Sequence, residues 1–164
     1  MNITFKKATE KDIPIIAQLA DVIWRKHYTS IISVGQIDYM LSGMYSSMEL
    51  LKRMKAGEEF VIAYVDDVPT GYVSYSLIDE KKYFISKLYV LVDKHRNGIG
   101  SQLFHYVLKQ LPDAETIELA VNRENYIAIN FYFKHGFTIK HTFDLEIGGG
   151  YFMNDFMMTK TLNS

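Results

Sequence analysis

The sequence predicts a mixed α/β domain: a six- to seven-stranded, mostly antiparallel sheet with helices on both faces. Three patterns predict it. First, β-like runs follow one another between residues 59 and 92 with only short polar turns between them, which reads as an antiparallel meander. Second, a helix-period stretch at residues 98–109 separates the run at 83–92 from the run at 116–121, which implies one parallel crossover. Third, two aromatic-rich runs close the chain as a hairpin. A purely parallel dinucleotide-binding sheet would need more strand–helix units than this order supplies.

Residues 2–7 read as a first short strand. Thr9 is a candidate N-cap with Asp12 in the place of the capping-box acid, and Pro14 suits a first helical turn. Ile15, Ile16, Leu19, Ala20, Ile23 and Trp24 repeat at three and four, which makes an amphipathic helix to about Tyr28. Two short helices follow. The first covers 33–43 with Ile37, Met40 and Leu41 inward; the second starts at a Ser46 or Ser47 cap and stops at Gly57, and the same pattern fits one bent helix. Strands at 59–65, 70–78 and 83–92 come next, with turns at 66–69 and 79–81. In the helix at 98–109, Leu103, Phe104, Val107, Leu108 and Leu111 face the sheet, and Pro112 with Asp113 stops it. A strand at 116–121, a helix from Asn125 to about His135 ended by Gly136, and strands at 137–143 and 151–159 complete the order, with Gly148, Gly149 and Gly150 in the last loop.

At 164 residues a single domain with one core is expected over the whole chain. The net charge of −1 offers no surplus to hold a duplex or an anionic membrane, so neither nucleic acid nor membrane is an expected partner. With no cysteine, disulfides, thiolate catalysis and cysteine-rich zinc sites are excluded. No apolar run approaches the ~18 residues of a spanning helix, and the polar N-terminus does not read as a signal peptide, so a cytoplasmic location is the default expectation. His95, His105, His135 and His141 lack metal-ligand spacing, and no metal site is expected.

The chemistry-bearing stretch runs from Tyr83 to Gly136. Between its first strand and its first helix lies the turn Lys94-His95-Arg96-Asn97-Gly98-Ile99-Gly100. Successive backbone N–H groups at such a junction, with the positive end of the helix dipole behind them, form an anion seat. By themselves the two glycines could equally be a tight turn and a close helix–sheet contact. The dinucleotide fingerprint and the Walker A loop are both absent. A second segment adds Asn125, Ala128, Phe131, Tyr132, Lys134, Gly136 and Phe137, reading N-x-x-A-x-x-F-Y-x-K-x-G-F.

Together these two motifs resemble the GCN5-related N-acetyltransferase (GNAT) superfamily, whose members transfer an acetyl group from acetyl-CoA to an amine. The family's Q/R-x-x-G-x-G/A stretch stands here as His95-Arg96-Asn97-Gly98-Ile99-Gly100, with both glycines matched and His95 departing from the usual Gln or Arg. The closing Asp155-Phe156-Met157-Met158-Thr159-Lys160 resembles the family's D-Y-x-M-x-K strand. The early Trp24…Tyr28 and Tyr39-Met40…Met44-Tyr45-Ser46 pattern weakly resembles a subset that includes the polyamine acetyltransferase PaiA.

The resemblance implies acetyl-CoA as cosubstrate and a splayed parallel pair at the centre of the sheet. It implies a pantetheine arm lying along Tyr89, Val90, Leu91 and Val92, where a backbone N–H near Val90 polarises the thioester. The pyrophosphate would rest over His95, Arg96, Asn97, Gly98, Ile99, Gly100 and Ser101. Tyr132 would stand by the CoA sulfur as catalytic acid, and Asn125 would support the pantetheine or the local backbone. A phenol, which ordinarily titrates near about 10, suits proton donation to a thiolate; the bland alternative for Tyr132 is packing at the helix–sheet boundary.

Acyl transfer needs a neutral amine, a polarised carbonyl, a stabilised tetrahedral intermediate and a proton for the thiolate. Without Cys or a G-x-S-x-G elbow, direct attack in a ternary complex is expected. Glu58, Glu59, Glu80, Glu118 and His27 are the candidate bases, and none stands out. Trp24, Tyr28, Tyr39, Tyr45 and Tyr75 could shape an acceptor groove or be core. The expected partner is a small-molecule or peptide amine, and the aromatic C-terminal strand is a candidate homodimer interface or plain core. The competing reading is a non-catalytic acyl-CoA-binding or regulatory module on the same fold.

Overall fold

Capping explains where the N-terminal helices begin. In this structure, a computed structural model describing residues 1–162, Thr9 and Asp12 form the reciprocal capping box, with the Thr9 N–H donating to Asp12 Oδ2 at 2.8 Å. A short 3-10 turn leads directly into α1 (Ile13–His27), which carries Pro14 in its first turn. Ser33 Oγ accepts from the Gln36 N–H at 3.1 Å and opens α2 (Val34–Met44). Ser46 Oγ accepts from the Glu49 N–H at 3.2 Å and opens α3 (Ser47–Lys55). Each helix has its own cap, so the region forms two helices and not one bent one.

The strands are β1 (Ile3–Lys7), β2 (Glu59–Val65), β3 (Val68–Asp79), β4 (Lys82–Val90), β5 (Thr116–Asn122), β6 (Thr138–Gly148) and β7 (Tyr151–Thr161). They make one sheet in the order β1-β2-β3-β4-β5-β7-β6. The fold is a mixed α/β sheet of mostly antiparallel strands with helices on both faces. The parallel step is β4 on β5, with Lys82–Ile85 paired to Thr116–Leu119. The remaining helices are α4 (Ile99–Gln110) and α5 (Tyr126–Lys134).

Three boundaries differ from the sequence expectation, each for a local reason. Pro69 lies within β3, opposite Tyr64, because Asp66 and Asp67 adopt left-handed φ values of 49° and 66° and close the hairpin in two residues. β4 ends at Val90: the Leu91 N–H bonds the Thr70 carbonyl at 2.9 Å, and Val92–Asn97 then coil into a 3-10 turn, so Val92 is not a strand residue. β6 continues to Gly148, well past Phe143, because its pairing with β7 runs on to Gly148–Tyr151 while its mostly exposed, polar residues hide the strand pattern.

The chain forms two compact units. The first comprises Met1–Ser76 and Lys87–Pro112; the second comprises Leu77–Ser86 and the chain from Asp113 onward. The core of the first includes Ile16, Ile37, Leu50, Phe60, Ile62, Tyr72, Ile99, Leu103 and Phe104. The core of the second is built on Ile117, Leu119, Phe137 and Met158. No helix among the described residues is long and apolar enough to cross a membrane.

Candidate active site and cofactor-binding elements

Gly98 joins the 3-10 turn to α4 with φ 71° and ψ 14°, a left-handed conformation that L side chains rarely adopt. Among the described residues, its chain neighbours aside, no heavy atom lies within 4 Å of where its Cβ would be, so the turn is open on that side. Gly98 has no side chain with which to cap α4, and the first amides of the helix, at Ile99, Gly100 and Ser101, begin there. Gly100 is a helical residue, and of the G-x-G pair Gly98 is the one whose backbone demands glycine. Ile99 is buried in the core, whereas Asn97 is exposed. The side chains of Val92, His95 and Arg96 lie outside the described residues.

Alternation along β4 sends Lys87 and Tyr89 to one face and Leu88 and Val90 to the other. β3 approaches this end of β4 closely at Gly71, where a Cβ would sit 2.7 Å from the Tyr89 carbonyl oxygen. On the Lys87–Tyr89 face the rings of Trp24, Tyr28, Tyr45, Tyr72 and Tyr89 form one cluster. Trp24 stacks on Tyr28 at a centroid distance of 4.5 Å and lies 5.7 Å from Tyr89. The hydroxyls pair off: Tyr72 donates to Tyr45 at 2.8 Å, and Tyr28 and Tyr89 bond each other at 3.0 Å. Burial pushes the Tyr45 and Tyr72 phenols well above their usual range. The Trp24 indole N–H lies near both hydroxyls without a well-aligned hydrogen bond to either. Trp24, Tyr28, Tyr45 and Tyr72 are buried and Tyr89 is half-buried. Of the other ring residues the sequence singles out, Tyr75 is buried and Tyr39 half-buried.

The structure commits several of the candidate bases elsewhere. Glu58 bonds the buried Lys87 Nζ at 3.0 Å through Oε2 and faces Arg53 Nη1 at 3.5 Å through Oε1. Burial lowers the Lys87 pKa, and Glu58 partly restores it. Glu59 pairs with Lys7 at 2.9 Å. Glu118 lies between Lys140 Nζ at 3.0 Å and Lys82 Nζ at 3.3 Å. Burial alone would raise its pKa, but the hydrogen bonds from Lys140 and Lys82 outweigh burial and hold it below the usual carboxylate range. Lys87 escaped sequence reasoning, because a lysine in an apolar strand carries no mark of being buried; its one signal was the odd charge inside that run.

In the second unit, Asn125 Oδ1 accepts from the Ala128 N–H at 3.3 Å and caps α5. Asn125 is buried, at the start of the helix that the sequence opens there. One face of α5 carries Ile129 and Tyr132 into the core, and the Tyr132 ring stands 5.4 Å from Phe137 with Phe131 at the same distance. The left-handed Gly136 (φ 88°) ends the helix and turns the chain into β6. The motif therefore folds as one cap–helix–stop unit that fixes the ring of Tyr132.

A helix start behind a left-handed glycine, following a β-strand and a 3-10 turn, and an Asn-capped helix bearing a tyrosine are the elements on which the GNAT resemblance rests. Residues 22–137 match the acetyltransferase (GNAT) family, and the chain belongs to it. Among its relatives, the spermidine N(1)-acetyltransferase of Thermoplasma acidophilum is 25% identical over 149 residues, spanning 87% of this chain and 92% of that one. An uncharacterized N-acetyltransferase of Mycobacterium tuberculosis is 35% identical over 94 residues, 56% of this chain and 60% of the other. The crystal structure of the PaiA N-acetyltransferase of T. acidophilum in complex with coenzyme A superimposes with a TM-score of 0.84 at 25% identity, covering 99% of this chain and all (100%) of that one. A GCN5-related N-acetyltransferase from Rhodopseudomonas palustris shares the fold with a TM-score of 0.83 at 20% identity, over 99% and 97% of the two chains.

Proposed function

We propose that this protein is an acetyl-CoA-dependent N-acetyltransferase that acetylates a primary amine by direct attack in a ternary complex. The observation that carries this reading is the open, left-handed Gly98 at the start of α4, joined to the end of β4 by a 3-10 turn. Family membership and a relative crystallised with coenzyme A support it. The backbone of residues 95–101 would hold the pyrophosphate, with α4 contributing the positive end of its dipole. The pantetheine arm would lie along Tyr89, Val90, Leu91 and Val92, and the Val90 N–H would polarise the thioester carbonyl. Asn125 acts by fixing the start of α5.

Acetyl-CoA supplies the activated acyl group; the protein positions it. The neutral amine nitrogen attacks the carbonyl carbon, the C–N bond forms, the C–S bond breaks, and the nitrogen gives its remaining excess proton to water. Tyr132 donates a proton to the leaving thiolate and recovers it from solvent. The acceptor class is an alkyl amine, including polyamines, or a peptide N-terminus. The name of the T. acidophilum relative favours the polyamine end of that range.

The test is calorimetric titration with acetyl-CoA and with CoA, followed by a thiol-release assay across monoamines, polyamines and peptide N-termini. Micromolar binding of both and turnover with at least one amine are expected. Tyr132→Phe should keep CoA affinity and lose about 100-fold in kcat. Binding without turnover for every amine would leave an acyl-CoA-binding module; absence of binding would remove the cofactor assignment.

A further inference from the structure

We propose that β6 pairs with β6 of a second copy of this chain across a two-fold axis, so that one sheet runs through both subunits. The proposal is independent of the acetyltransferase reading. Among the described residues β6 ends the sheet: β7 lies on one side of it and no strand lies on the other. The aromatic strand β7 is itself paired on both sides, with β5 and with β6, so its backbone is already engaged. The opposite edge strand, β1, is five residues long and carries Lys6 and Lys7, the short charged form that blunts an edge. β6 is eleven residues long, and its residues are exposed except the half-buried Phe143, Ile147 and Gly148. Its register shifts fall between Ile139 and His141 and between Glu146 and Gly148, which leaves 141–146 as an unbroken run.

The direction of each peptide in that run follows from its neighbours. The Arg123 N–H bonds the Asn154 carbonyl at 3.0 Å, so Asn154 turns its backbone toward the end of β5. Backbone groups alternate along a strand, so Asp155 turns toward β6, and Phe143, which is opposite it, turns toward β7. Thr142, Asp144 and Glu146 therefore point their N–H and C=O groups out of the sheet edge. An antiparallel copy must match these outward residues with one another. With Phe143 on the axis, the Thr142 hydroxyl can donate to the partner's Asp144, His141 meets the partner's Leu145, and the two Phe143 rings face each other. An axis on Asp144 would oppose two like carboxylates, and an axis on Thr142 would carry the pairing across the irregularity at Lys140. The charges agree with the antiparallel direction: Lys140 lies at the start of the run, and Asp144 and Glu146 lie toward its end. Within the chain Lys140 holds Glu118 at 3.0 Å and Asp144 holds Arg123 at 2.7 Å. Among the described residues Glu146 has no ion pair of its own, and the pairing brings the partner's Lys140 toward it. The same pairing covers Leu145, which is 50% exposed in the single chain.

The test is sedimentation equilibrium of the full chain from micromolar to millimolar concentration. A reversible dimer at twice the chain mass of 19.0 kDa is expected. Glu146→Lys sets like charges against the partner's Lys140, and Leu145→Lys puts a charge into the contact with the partner's His141. Each change occurs twice in the dimer and should weaken it about tenfold or more. Both positions are exposed, so the thermal midpoint of each variant should stay near that of the wild type. The chain has no cysteine, so a single introduced thiol can bridge only to its own copy. Phe143→Cys on the axis brings two Cα atoms to about 4.5 Å, within disulfide reach, and mild oxidation should give a reducible dimer. Met48→Cys, 84% exposed on α3, should run as a monomer on a non-reducing gel after the same treatment. A protein that is monomeric throughout that range overturns the inference. So does a dimer that neither lysine substitution weakens, which would lie on another surface, and so does a dimer of Phe143→Cys that oxidation leaves unbridged. Open-ended growth in mass would also overturn it, because β6 would then be pairing with β1 of the next copy and not with itself.

Discussion

Gly71 on β3 lies hard against Tyr89 on β4: a Cβ on Gly71 would lie 2.7 Å from the Tyr89 carbonyl oxygen and 3.2 Å from the Val90 Cα. Both obstacles are backbone, which cannot swing aside as a flexible side chain would. A glycine is thus required for a packing reason, at a backbone φ that is not left-handed. Gly71→Ala should push β4 away, destabilise the protein by about 1–3 kcal/mol and weaken acetyl-CoA binding at least tenfold. Denaturant unfolding and calorimetric titration on the same sample check both. Loss of stability with unchanged CoA affinity would detach the cofactor from this end of β4.

Gly98 poses the opposite problem, strain without crowding. Its Cβ would meet open space, but φ is 71°. Gly98→Ala should cost about 1–2 kcal/mol from the left-handed backbone alone and retain most CoA affinity. Gly98→Glu adds a carboxylate where the pyrophosphate would sit and should abolish CoA binding in a protein that still folds. Equal CoA affinities for the two variants would contradict the anion seat.

Lys87 and Glu58 should behave as a buried pair. Removing Lys87 leaves the buried Glu58 carboxylate only its longer contact with Arg53 at 3.5 Å, so Lys87→Met should cost about 3 kcal/mol. The double variant Lys87→Met with Glu58→Leu should recover much of that loss, because no unpaired carboxylate remains beside the Tyr45 and Phe60 rings over which Lys87 Nζ lies. A double-mutant cycle of unfolding free energies gives the coupling directly; additive losses would mean that the two charges act independently.

Asp155 sets a pH dependence in the second unit. Burial raises its pKa from 3.8 to about 6, with Arg123 opposing the rise. Between those values the folded state keeps a proton that the unfolded state has lost. Its contribution is therefore fully present below 3.8 and is lost as pH rises through about 6. The full swing is about 3 kcal/mol, from roughly two units at 1.36 kcal/mol each. Asp155→Asn should flatten the wild-type difference in unfolding free energy between pH 4.5 and pH 7. An identical pH profile in the variant would show that Asp155 does not carry it.

Near-neighbour chemistry was enough to read the frame. The Thr9–Asp12 box, the Ser46 cap, the Asn125 cap and the Gly136 stop each involve residues within a turn or so of the chain, where side chain and backbone meet whatever the rest of the protein does. The placement of the Gly98 turn after β4 and of Tyr132 on α5 follows from the same local signals. Strand ends were less legible. β6 has no buried stripe to announce it, and β4 stops at Val90 through a hydrogen bond from Leu91 to Thr70 on another strand.

The order of elements, the caps, the glycine turn and the family resemblance are each encoded in residues close along the chain. Which polar groups meet depends on long-range packing. Tyr28 finds Tyr89 across 61 positions, Lys87 finds Glu58 across 29 and Tyr72 finds Tyr45 across 27. Such partners are chosen by strand register and by how α1 to α3 pack against the sheet. A one-residue slip of a strand turns every side chain to the other face. No local pattern in the chain records that outcome.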